Sequence, residues 1–288
     1  MQSHTVDAPN ATLHYDIRPG DTPPGNNRQR PLMLIGSPMA AAGFTTLAGH
    51  FTDRTVITYD PRGSERSTHT GDTPPTATEH ASDIRRVIET VGEPVDLFAS
   101  SGGAVNALAL LAEHPSPVHT LVAHEPPTLE VLPDRAQAEA ATRAIAETYA
   151  REGFGAAMAR FIALVGWEGP VPDDYADQPT PGPAAFGLPT ADDGSRDDPL
   201  LGNMTGATFF EHDYDALRAT DTTIVMAVGE TSRDQLPARG AAGVADRLGL
   251  DVVVFPGDHS GFLGGEYGQT GKPAAFAARL REVLASNA

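Results

Sequence analysis

The stretch Val95-Asp-Leu-Phe-Ala-Ser-Ser-Gly-Gly103 decides the fold, because it joins a buried strand to a helix through a turn of small residues. Its first five residues are mostly apolar, as in a central strand, and a helix of small apolar residues is predicted from Ala104 to Glu113. Short apolar runs and helical patterns alternate along much of the chain. This alternation is typical of a parallel sheet with crossover helices, so we predict an α/β fold.

The predicted elements lie in two blocks. Strands are predicted at 12–17, 31–35, 55–59, 95–99, 118–124, 223–228 and 251–255, and helices at 79–91, 104–113, 235–248 and 273–285. Residues 126–221 interrupt this pattern, with helices at 134–165 followed by a stretch rich in Pro, Gly and Asp at 169–203. We predict a core domain of residues 1–125 and 222–288, with 126–221 inserted as a lid over the carboxyl edge of the sheet.

Composition limits the partners of the chain. It has 288 residues, a formal net charge of −18 and no cysteine, which excludes disulfides and cysteine nucleophiles. The negative charge argues against nucleic acid and anionic membranes as partners. Residues 1–7 do not resemble a signal peptide, and no run approaches the ~18 apolar residues of a membrane span. We expect a cytoplasmic protein with a small-molecule substrate, and its oligomeric state stays open.

The turn at residues 99–103 has the composition required around a nucleophilic serine. Such a serine needs small neighbours two residues before it and two residues after it, because the backbone turns tightly. Ala99 and Gly103 meet this need for Ser101, whereas Phe98 does not meet it for Ser100. We therefore predict Ser101 as the nucleophile.

On this small-x-Ser-x-small motif and the order of its predicted strands, the chain resembles an α/β-hydrolase, except within residues 126–221. The resemblance implies a mostly parallel eight-stranded sheet with helices on both faces, a helical lid, a serine–histidine–acid triad, and no cofactor or metal. It also implies an oxyanion hole formed by the N–H groups of Gly102 and Ser37. Here Ile35-Gly-Ser-Pro38 replaces the usual His-Gly-x-Pro.

The chain has ten histidines, and their positions along the chain indicate which one is the candidate base. His259 lies in the loop between the last predicted strand and the last predicted helix, where the family keeps its base. A loop position lets the imidazole reach Ser101 while its other nitrogen meets a carboxylate. We therefore predict His259 as the base.

The acid has three candidates in the family's order of serine, acid and histidine. Glu125 ends the strand beside the predicted nucleophile strand, whereas Asp234 and Glu230 follow the next strand, where most members place the acid. We favour Glu125 and keep the other two as alternatives.

One local pattern supports that preference. Ser232 to Gln235 is predicted to form a capping box, which would place Asp234 in a first helical turn, where it complements the helix dipole. Pro126 is expected to hold Glu125 in an extended conformation.

The position of Glu125 and the Ser37-Pro38 pair also resemble the haloalkane dehalogenase and epoxide hydrolase branch. Those enzymes attack with an aspartate that forms an alkyl ester. A serine in that place would form an alkyl ether without a carbonyl to hydrolyse, so Ser101 predicts acyl transfer instead.

Several other residues are candidates for the walls of the substrate pocket. A second family motif, at Asp60 to Ser67, is expected to be structural, with Glu65 replacing a glycine and changing the path of the loop. The pocket candidates are Met39, Phe44, Phe161, Trp167, Phe210 and Phe262.

These residues predict a serine hydrolase that cleaves an apolar, modest-sized carboxylic ester or lactone through an acyl-enzyme. Two alternatives stay open. The same scaffold could use the histidine and the acid for cofactor-free dioxygenation or a lyase step, leaving Ser101 without an acyl group. The chain could also be a ligand-binding sensor with a residual triad.

Overall fold

A computed structural model describes residues 1–21, 29–114 and 117–287. Eight strands form one sheet: β1 (Gln2–Ala8), β2 (Ala11–Arg18), β3 (Leu32–Ile35), β4 (Val56–Tyr59), β5 (Val95–Ser100), β6 (Val118–His124), β7 (Thr223–Gly229) and β8 (Val252–Phe255). Their order is β1-β2-β4-β3-β5-β6-β7-β8, with parallel neighbours from β4 to β8 and an antiparallel hairpin of β1 and β2 at one edge. The predicted mostly parallel eight-stranded sheet is confirmed.

The sheet is accompanied by nine α-helices within the described residues: α1 (Thr45–Gly49), α2 (Ala77–Val91), α3 (Gly102–Glu113), α4 (Arg135–Glu152), α5 (Phe154–Val165), α6 (Pro199–Thr208), α7 (Tyr214–Ala219), α8 (Leu236–Leu248) and α9 (Pro273–Ser286). Helix α2 begins with a capping box between Thr76 and Glu79 and ends at Gly92, whose φ of 77° suits a glycine. In the described part of the chain, no helix combines the length and the apolar character that crossing a membrane requires.

Both faces of the sheet are buried. Leu32 and Leu34 of β3 belong to a cluster with α1 and α9, whereas Met33 and Ile35 belong to a cluster with α2, α3 and α8. Successive residues of a strand point to opposite faces, so these two clusters lie on opposite sides of the sheet. Helices therefore cover both faces, as predicted, and the central strands are continuous apolar runs for that reason.

The helices between β6 and β7 enclose an apolar cluster of their own. Side chains of α4, α5 and α6 pack together there with Leu236 of α8. The predicted helices at 134–165 are confirmed as α4 and α5. The stretch 169–203 holds only two short 3-10 turns before α6 begins at Pro199. The division into a core and a lid at 126–221 stays a prediction.

The start of α8 differs from the prediction. The residue before its first turn is Gln235, and no side chain caps the helix. The predicted capping box from Ser232 to Gln235 is therefore wrong, and Asp234 lies outside the helix. Pro237 in the first turn gives the physical reason, since proline starts a helix without needing a partner for its missing N–H.

Candidate active site

Ser101 lies at the junction of β5 and α3 with φ of 57° and ψ of −130°, in a region of backbone space that residues with a side chain rarely occupy. The turn brings α3 against the loop after β3. A Cβ atom on Gly102 would lie 2.6 Å from the carbonyl oxygen of Ser37, and one on Gly103 would lie 2.8 Å from the backbone of Gly36. The two glycines therefore allow the close approach that presents the Ser101 side chain.

The neighbouring Ser100 is almost completely buried and is absent from the wall of the larger cavity described below. It is 1% exposed, and its hydroxyl lies 3.2 Å from Nδ1 of the fully buried His124. Ser101 is half-buried and lines the same cavity wall as His259. The register predicted from the sequence thus places the accessible hydroxyl at residue 101.

His259 lies in the loop after β8 and is held by Glu125 at the end of β6. Nδ1 of His259 lies 2.7 Å from Oε2 of Glu125, whose side chain is 1% exposed. Oε1 of the same carboxylate accepts a hydrogen bond of 2.7 Å from the N–H of Gly229. Burial by itself raises the pKa of Glu125, but the hydrogen bond from His259 and the neighbouring His124 and His259 rings outweigh burial and lower the pKa to about 2. The carboxylate is therefore ionised at neutral pH.

The backbone of Glu125 differs from the prediction. Its φ is 49°, so the extended conformation expected from Pro126 is wrong. The N–H of Glu125 donates to the carbonyl of Ala227 on β7 at 3.0 Å, and its carboxylate is fixed by Gly229 and His259. These contacts with β7 and the β8 loop outweigh the local preference of a residue before proline.

The two alternative acids lie elsewhere. Glu230 forms an ion pair of 3.1 Å with Lys272, with both side chains more than half exposed, and Asp234 is exposed. Within the described ranges, Glu125 is the carboxylate that His259 meets. The structure thus brings Ser101, His259 and Glu125 to one edge of the sheet, at the carboxyl ends of its parallel strands.

Ser101 and His259 line two adjoining cavities, of about 630 Å³ and about 450 Å³. Ser37 and Gly102, the predicted oxyanion residues, lie on the wall of the larger cavity. Leu164 of α5 and Met204 of α6 form part of its apolar wall. The helices between β6 and β7 therefore contribute to the walls around the candidate nucleophile.

Three of the predicted pocket residues line these cavities. Phe161 lies on the wall of both cavities, and Met39 and Phe262 lie on the wall of the smaller one. All three come from segments outside the parallel strands, two of them beside the predicted oxyanion loop and the predicted base.

The other three are absent from both walls, as far as the described residues show. Phe44 is fully buried in the core, where its ring stacks on Phe262 at 5.4 Å between centroids. The Trp167 indole donates to the carbonyl of Pro170 at 3.0 Å, and Phe210 packs at the edge of the core. The structure thus places these three residues outside the two cavity walls, and their contribution to a substrate pocket stays a prediction.

The turn from Asp60 to Ser67 acts as a scaffold. The Asp60 carboxylate accepts bonds from the N–H of Ala41 at 3.0 Å and from Nε of Arg66 at 2.6 Å. Glu65 adopts φ of 46°, the left-handed region that glycine enters without strain, so its side chain does not prevent a glycine-like turn. Arg62 of this turn lines the larger cavity, a contribution that the sequence analysis missed.

One cluster has the donors for a metal. A ring nitrogen of His124, a ring nitrogen of His259 and a carboxylate oxygen of Glu125 lie within 4.8 Å of one another. His259 and Glu125 are already in direct contact at 2.7 Å, which leaves no space for an ion between them. The cluster therefore fits a histidine–carboxylate pair better than a metal site.

Comparisons with known proteins agree with this architecture. A model of the family described as the alpha/beta hydrolase fold matches residues 33–165. The uncharacterized hydrolase YraK of Bacillus subtilis (strain 168) is 28% identical to the chain, over 99% of the chain and 96% of its own length.

Two solved structures illustrate the range of similar proteins. A thermophilic esterase from Thermogutta terrifontis covers 100% of this chain and 99% of its own, with a TM-score of 0.67 and 17% identity. A proline iminopeptidase from Mycobacterium smegmatis covers 99% of this chain and 98% of its own, with a TM-score of 0.63 and 21% identity. Identities this low show a shared fold. With the sheet order and the strand-to-helix turn at Ser101, these matches show that the chain has the α/β-hydrolase fold.

Proposed function

We propose that the chain is a serine hydrolase that cleaves carboxylic ester or lactone bonds through an acyl-enzyme on Ser101. The observation that supports this proposal most strongly is the 2.7 Å contact of His259 with the buried Glu125, beside a serine presented by a strained turn. When Nδ1–H of His259 donates to the carboxylate, Nε2 keeps its lone pair for the proton of the serine hydroxyl.

The reaction then has two halves. Oγ of Ser101 attacks the carbonyl carbon while its proton moves to Nε2 of His259, and the N–H groups of Gly102 and Ser37 stabilise the resulting oxyanion. The intermediate collapses, and His259 donates the proton to the departing alcohol. Water then attacks the acyl-enzyme with His259 as its base, which releases the acid and restores the Ser101 hydroxyl.

The cavity walls favour a substrate with an apolar body. Phe161, Leu164, Leu200 and Met204 contribute apolar surface close to the proposed nucleophile. Pockets with such walls bind ligands by burying apolar area and use few polar groups for orientation. We propose that residues 126–221, which supply these side chains, form a lid over the site.

The test compares Ser101→Ala with Ser100→Ala. With p-nitrophenyl butyrate the wild type is expected to release a burst of p-nitrophenol, and a fluorophosphonate probe is expected to label Ser101. Ser101→Ala should lose both signals, because no other hydroxyl replaces the one at the turn. Ser100→Ala should keep both, since Ser100 is buried against His124.

Two outcomes would reject the proposal. One is a burst or a probe adduct that survives in Ser101→Ala. The other is a wild type that cleaves proline p-nitroanilide but none of a panel of p-nitrophenyl esters, which would move the substrate class from esters to peptides.

A further inference from the structure

A strap of residues 264–270 lies between the His259 loop and α9, and its Tyr267 forms part of the wall of the smaller cavity. Tyr267 is 58% exposed, so much of its surface is open to a ligand. Its ring also approaches the segment after the predicted oxyanion loop, where a Cβ atom on Gly43 would lie 3.1 Å from Cε2 of Tyr267. Tyr267 therefore rests on this segment and keeps ring surface that a ligand in the cavity can reach.

The backbone of the strap fixes Tyr267 in an uncommon conformation. Tyr267 has φ of 53°, in the left-handed region that favours glycine, and it lies between Gly265 with φ of 130° and Gly268 with φ of 72°. The strap is closed at its base, where the N–H of Gly271 donates to the carbonyl of Leu263 at 2.9 Å. A strained residue keeps such a conformation only where the surrounding contacts hold it. The strap therefore presents Tyr267 in one backbone conformation.

Glu266, beside Tyr267, ties the strap to α1. One oxygen of its carboxylate accepts a hydrogen bond from the N–H of Thr46 in α1 at 2.8 Å, and the other accepts one from the N–H of Gly264 at 2.6 Å. Burial by itself raises the pKa of Glu266, but the hydrogen bonds from Thr46 and Gly264 outweigh burial and lower the pKa. The carboxylate is therefore ionised at neutral pH, and both of its oxygens hold the strap against α1.

The rest of the apolar wall of the smaller cavity is also rich in aromatic side chains. Its other large apolar residues are Met39, Phe161, Leu200, Phe262 and Leu263. Phe262 stacks on the buried Phe44 at 5.4 Å between ring centroids, so its ring is fixed by the core. Aromatic rings favour offset or edge-to-face contacts with other rings, and a methionine sulfur also packs well on a ring. Three aromatic side chains and a methionine therefore suit a flat aromatic group better than a bulky alicyclic one.

The charges on this wall favour an uncharged ring. Glu65 and Asp198 line the smaller cavity, and the described residues of its wall include no lysine or arginine. Burial, followed by the nearby carboxylates of Glu65 and Asp60, raises the pKa of Tyr267, so its hydroxyl is uncharged at neutral pH. An anionic group on the ligand would approach these carboxylates without a lysine or arginine to pair with.

We propose that the smaller cavity is a subsite for an uncharged aromatic ring of the substrate, with Tyr267 as the residue that selects the ring and Glu266 as the positioning residue that holds Tyr267. This inference rests on the proposed hydrolase function. Because Ser101 and His259 also line this cavity, the ring belongs to the acyl arm or the alcohol arm of the ester that they cleave. The substrate class is thereby refined from an apolar ester to an ester with an aromatic arm.

The first experiment uses the wild type and two pairs of esters in which only the ring differs. Ethyl 3-phenylpropanoate is compared with ethyl 3-cyclohexylpropanoate for the acyl arm, and benzyl acetate with cyclohexylmethyl acetate for the alcohol arm. Hydrolysis is followed by the release of acid, because a p-nitrophenyl group would itself compete for the subsite.

We expect kcat/KM to favour the aromatic ester by about two- to tenfold in at least one pair, as a contact between aromatic rings provides. The cyclohexyl group is the more apolar of the two, so burial alone would give the opposite preference. A carboxylate at the para position of the preferred ring should abolish the preference. Equal kcat/KM values, or a preference for the cyclohexyl ester, in both pairs would overturn the subsite.

The second experiment assigns the preference to Tyr267. Tyr267→Leu should reduce the aromatic-to-cyclohexyl ratio to about one or below, because the contact between rings is lost, whereas Tyr267→Phe should keep the ratio. The matched control is Tyr175→Leu, the same change at a tyrosine that packs on Trp167 outside the described cavity walls. That variant should keep the wild-type ratio. A ratio that is unchanged in Tyr267→Leu, or lost equally in Tyr175→Leu, would also overturn the subsite.

The third experiment tests Glu266 as a positioning residue. Glu266→Gln keeps the size of the side chain but offers one acceptor oxygen to two N–H groups, so Tyr267 should be held less firmly. The aromatic-to-cyclohexyl ratio should therefore fall below that of the wild type. In the Tyr267→Leu background the same change should leave the ratio unaltered, because no ring remains to be positioned. An unchanged ratio in Glu266→Gln, or an equal change in both backgrounds, would reject this role of Glu266.

A binding measurement separates this inference from the proposed function. Calorimetry on Ser101→Ala with the amides that match the two ester pairs requires no hydrolysis. Tighter binding of the aromatic amide by about two- to tenfold in either pair supports the subsite even if the wild type cleaves no ester. Equal or weaker binding of both aromatic amides rejects the subsite even if Ser101-dependent ester hydrolysis is found.

Discussion

The carboxylate of Glu125 has a fixed position because both of its oxygens are used. One accepts from the N–H of Gly229 and the other contacts His259. The side chain is 1% exposed, so neither contact is weakened by competing water. Orientation of the proposed base therefore depends on this one residue.

Replacing Glu125 by glutamine is expected to lower kcat for p-nitrophenyl esters by roughly 10³- to 10⁴-fold, the range seen when the acid of a triad loses its charge. The amide keeps the size of the side chain but cannot stabilise the imidazolium that forms during the reaction. Steady-state kinetics on folded protein, checked by circular dichroism, would measure this effect.

The control variants for Glu125→Gln are Glu230→Gln and Asp234→Asn. Glu230 is in an exposed ion pair with Lys272, and such pairs contribute about 0–1 kcal/mol to stability. Both variants should keep kcat within about threefold of the wild type. If Asp234→Asn were the more damaging change, the acid would have to be moved to the segment after β7.

At the scale of elements, the contact between α3 and the loop after β3 positions the proposed site. Alanine is normally preferred to glycine inside a helix by about 1 kcal/mol. At position 103 a steric contact opposes this preference for alanine, because a Cβ atom would lie 2.8 Å from two backbone atoms of Gly36. Backbone atoms cannot move aside as a flexible side chain can, so the loop that carries Ser37 would have to shift.

We therefore expect Gly103→Ala to lower the free energy of unfolding by about 1–3 kcal/mol, as overpacking does. It should also reduce kcat/KM for p-nitrophenyl esters by at least about tenfold, because the Ser37 N–H leaves its position. Urea unfolding and steady-state kinetics would measure the two effects.

Gly202 of α6 is the matched control for stability. A Cβ atom there meets nothing within 4 Å, so Gly202→Ala should leave the free energy of unfolding unchanged or raise it by up to about 1 kcal/mol. A stabilised Gly103→Ala variant would contradict the close approach that the turn requires.

Element boundaries were predictable where the sequence carries a local signal. Helix α2 has its capping box and its Gly92 stop, and the central strands are continuous apolar runs. Strand β1 was missed because its side chains are mostly exposed and carry little apolar pattern. At α8, serine and glutamine had the right spacing for a cap, but the helix begins at Leu236, next to Pro237.

At the scale of the whole molecule, three buried histidines make stability depend on pH. Burial lowers the pKa values of His80, His124 and His212 to about 4, against 6.5 for an exposed imidazole. Between these values the unfolded chain binds protons that the folded chain does not. The contribution of these neutral histidines to the free energy of unfolding is therefore complete above pH 6.5 and is lost as the pH falls from 6.5 towards 4.

His212 offers the cleanest test because it packs between Phe210 and Tyr214 and lies outside the described cavity walls. Because the unfolded chain binds these protons, the free energy of unfolding falls by on the order of 2 kcal/mol per buried histidine between pH 7 and pH 5. Between pH 7 and pH 5, the free energy of unfolding of His212→Phe should therefore fall by about 2 kcal/mol less than that of the wild type. Urea denaturation at the two pH values would measure this difference. Tyr214→Phe alters the same cluster without removing an imidazole and should keep the wild-type loss. Identical pH dependence in His212→Phe and the wild type would contradict this account.

The sequence by itself determined the features that depend on neighbours along the chain. The parallel α/β architecture follows from alternating apolar runs and helical patterns. The register of Ser101 follows from small residues at positions 99 and 103, because the tight turn is a local requirement of the backbone. The place of His259, after the last strand, follows from the order of the elements.

Only the tertiary structure decided which groups meet across long separations. Glu125 and His259 are 134 positions apart, and the sequence left three carboxylates as partners for that imidazole. It also could not separate Phe161, on the cavity wall, from Phe44, in the core, because both are apolar side chains that gain by leaving water. The physical reason is the same in each case: contact and burial depend on how distant segments pack, and the local pattern of residues does not specify that.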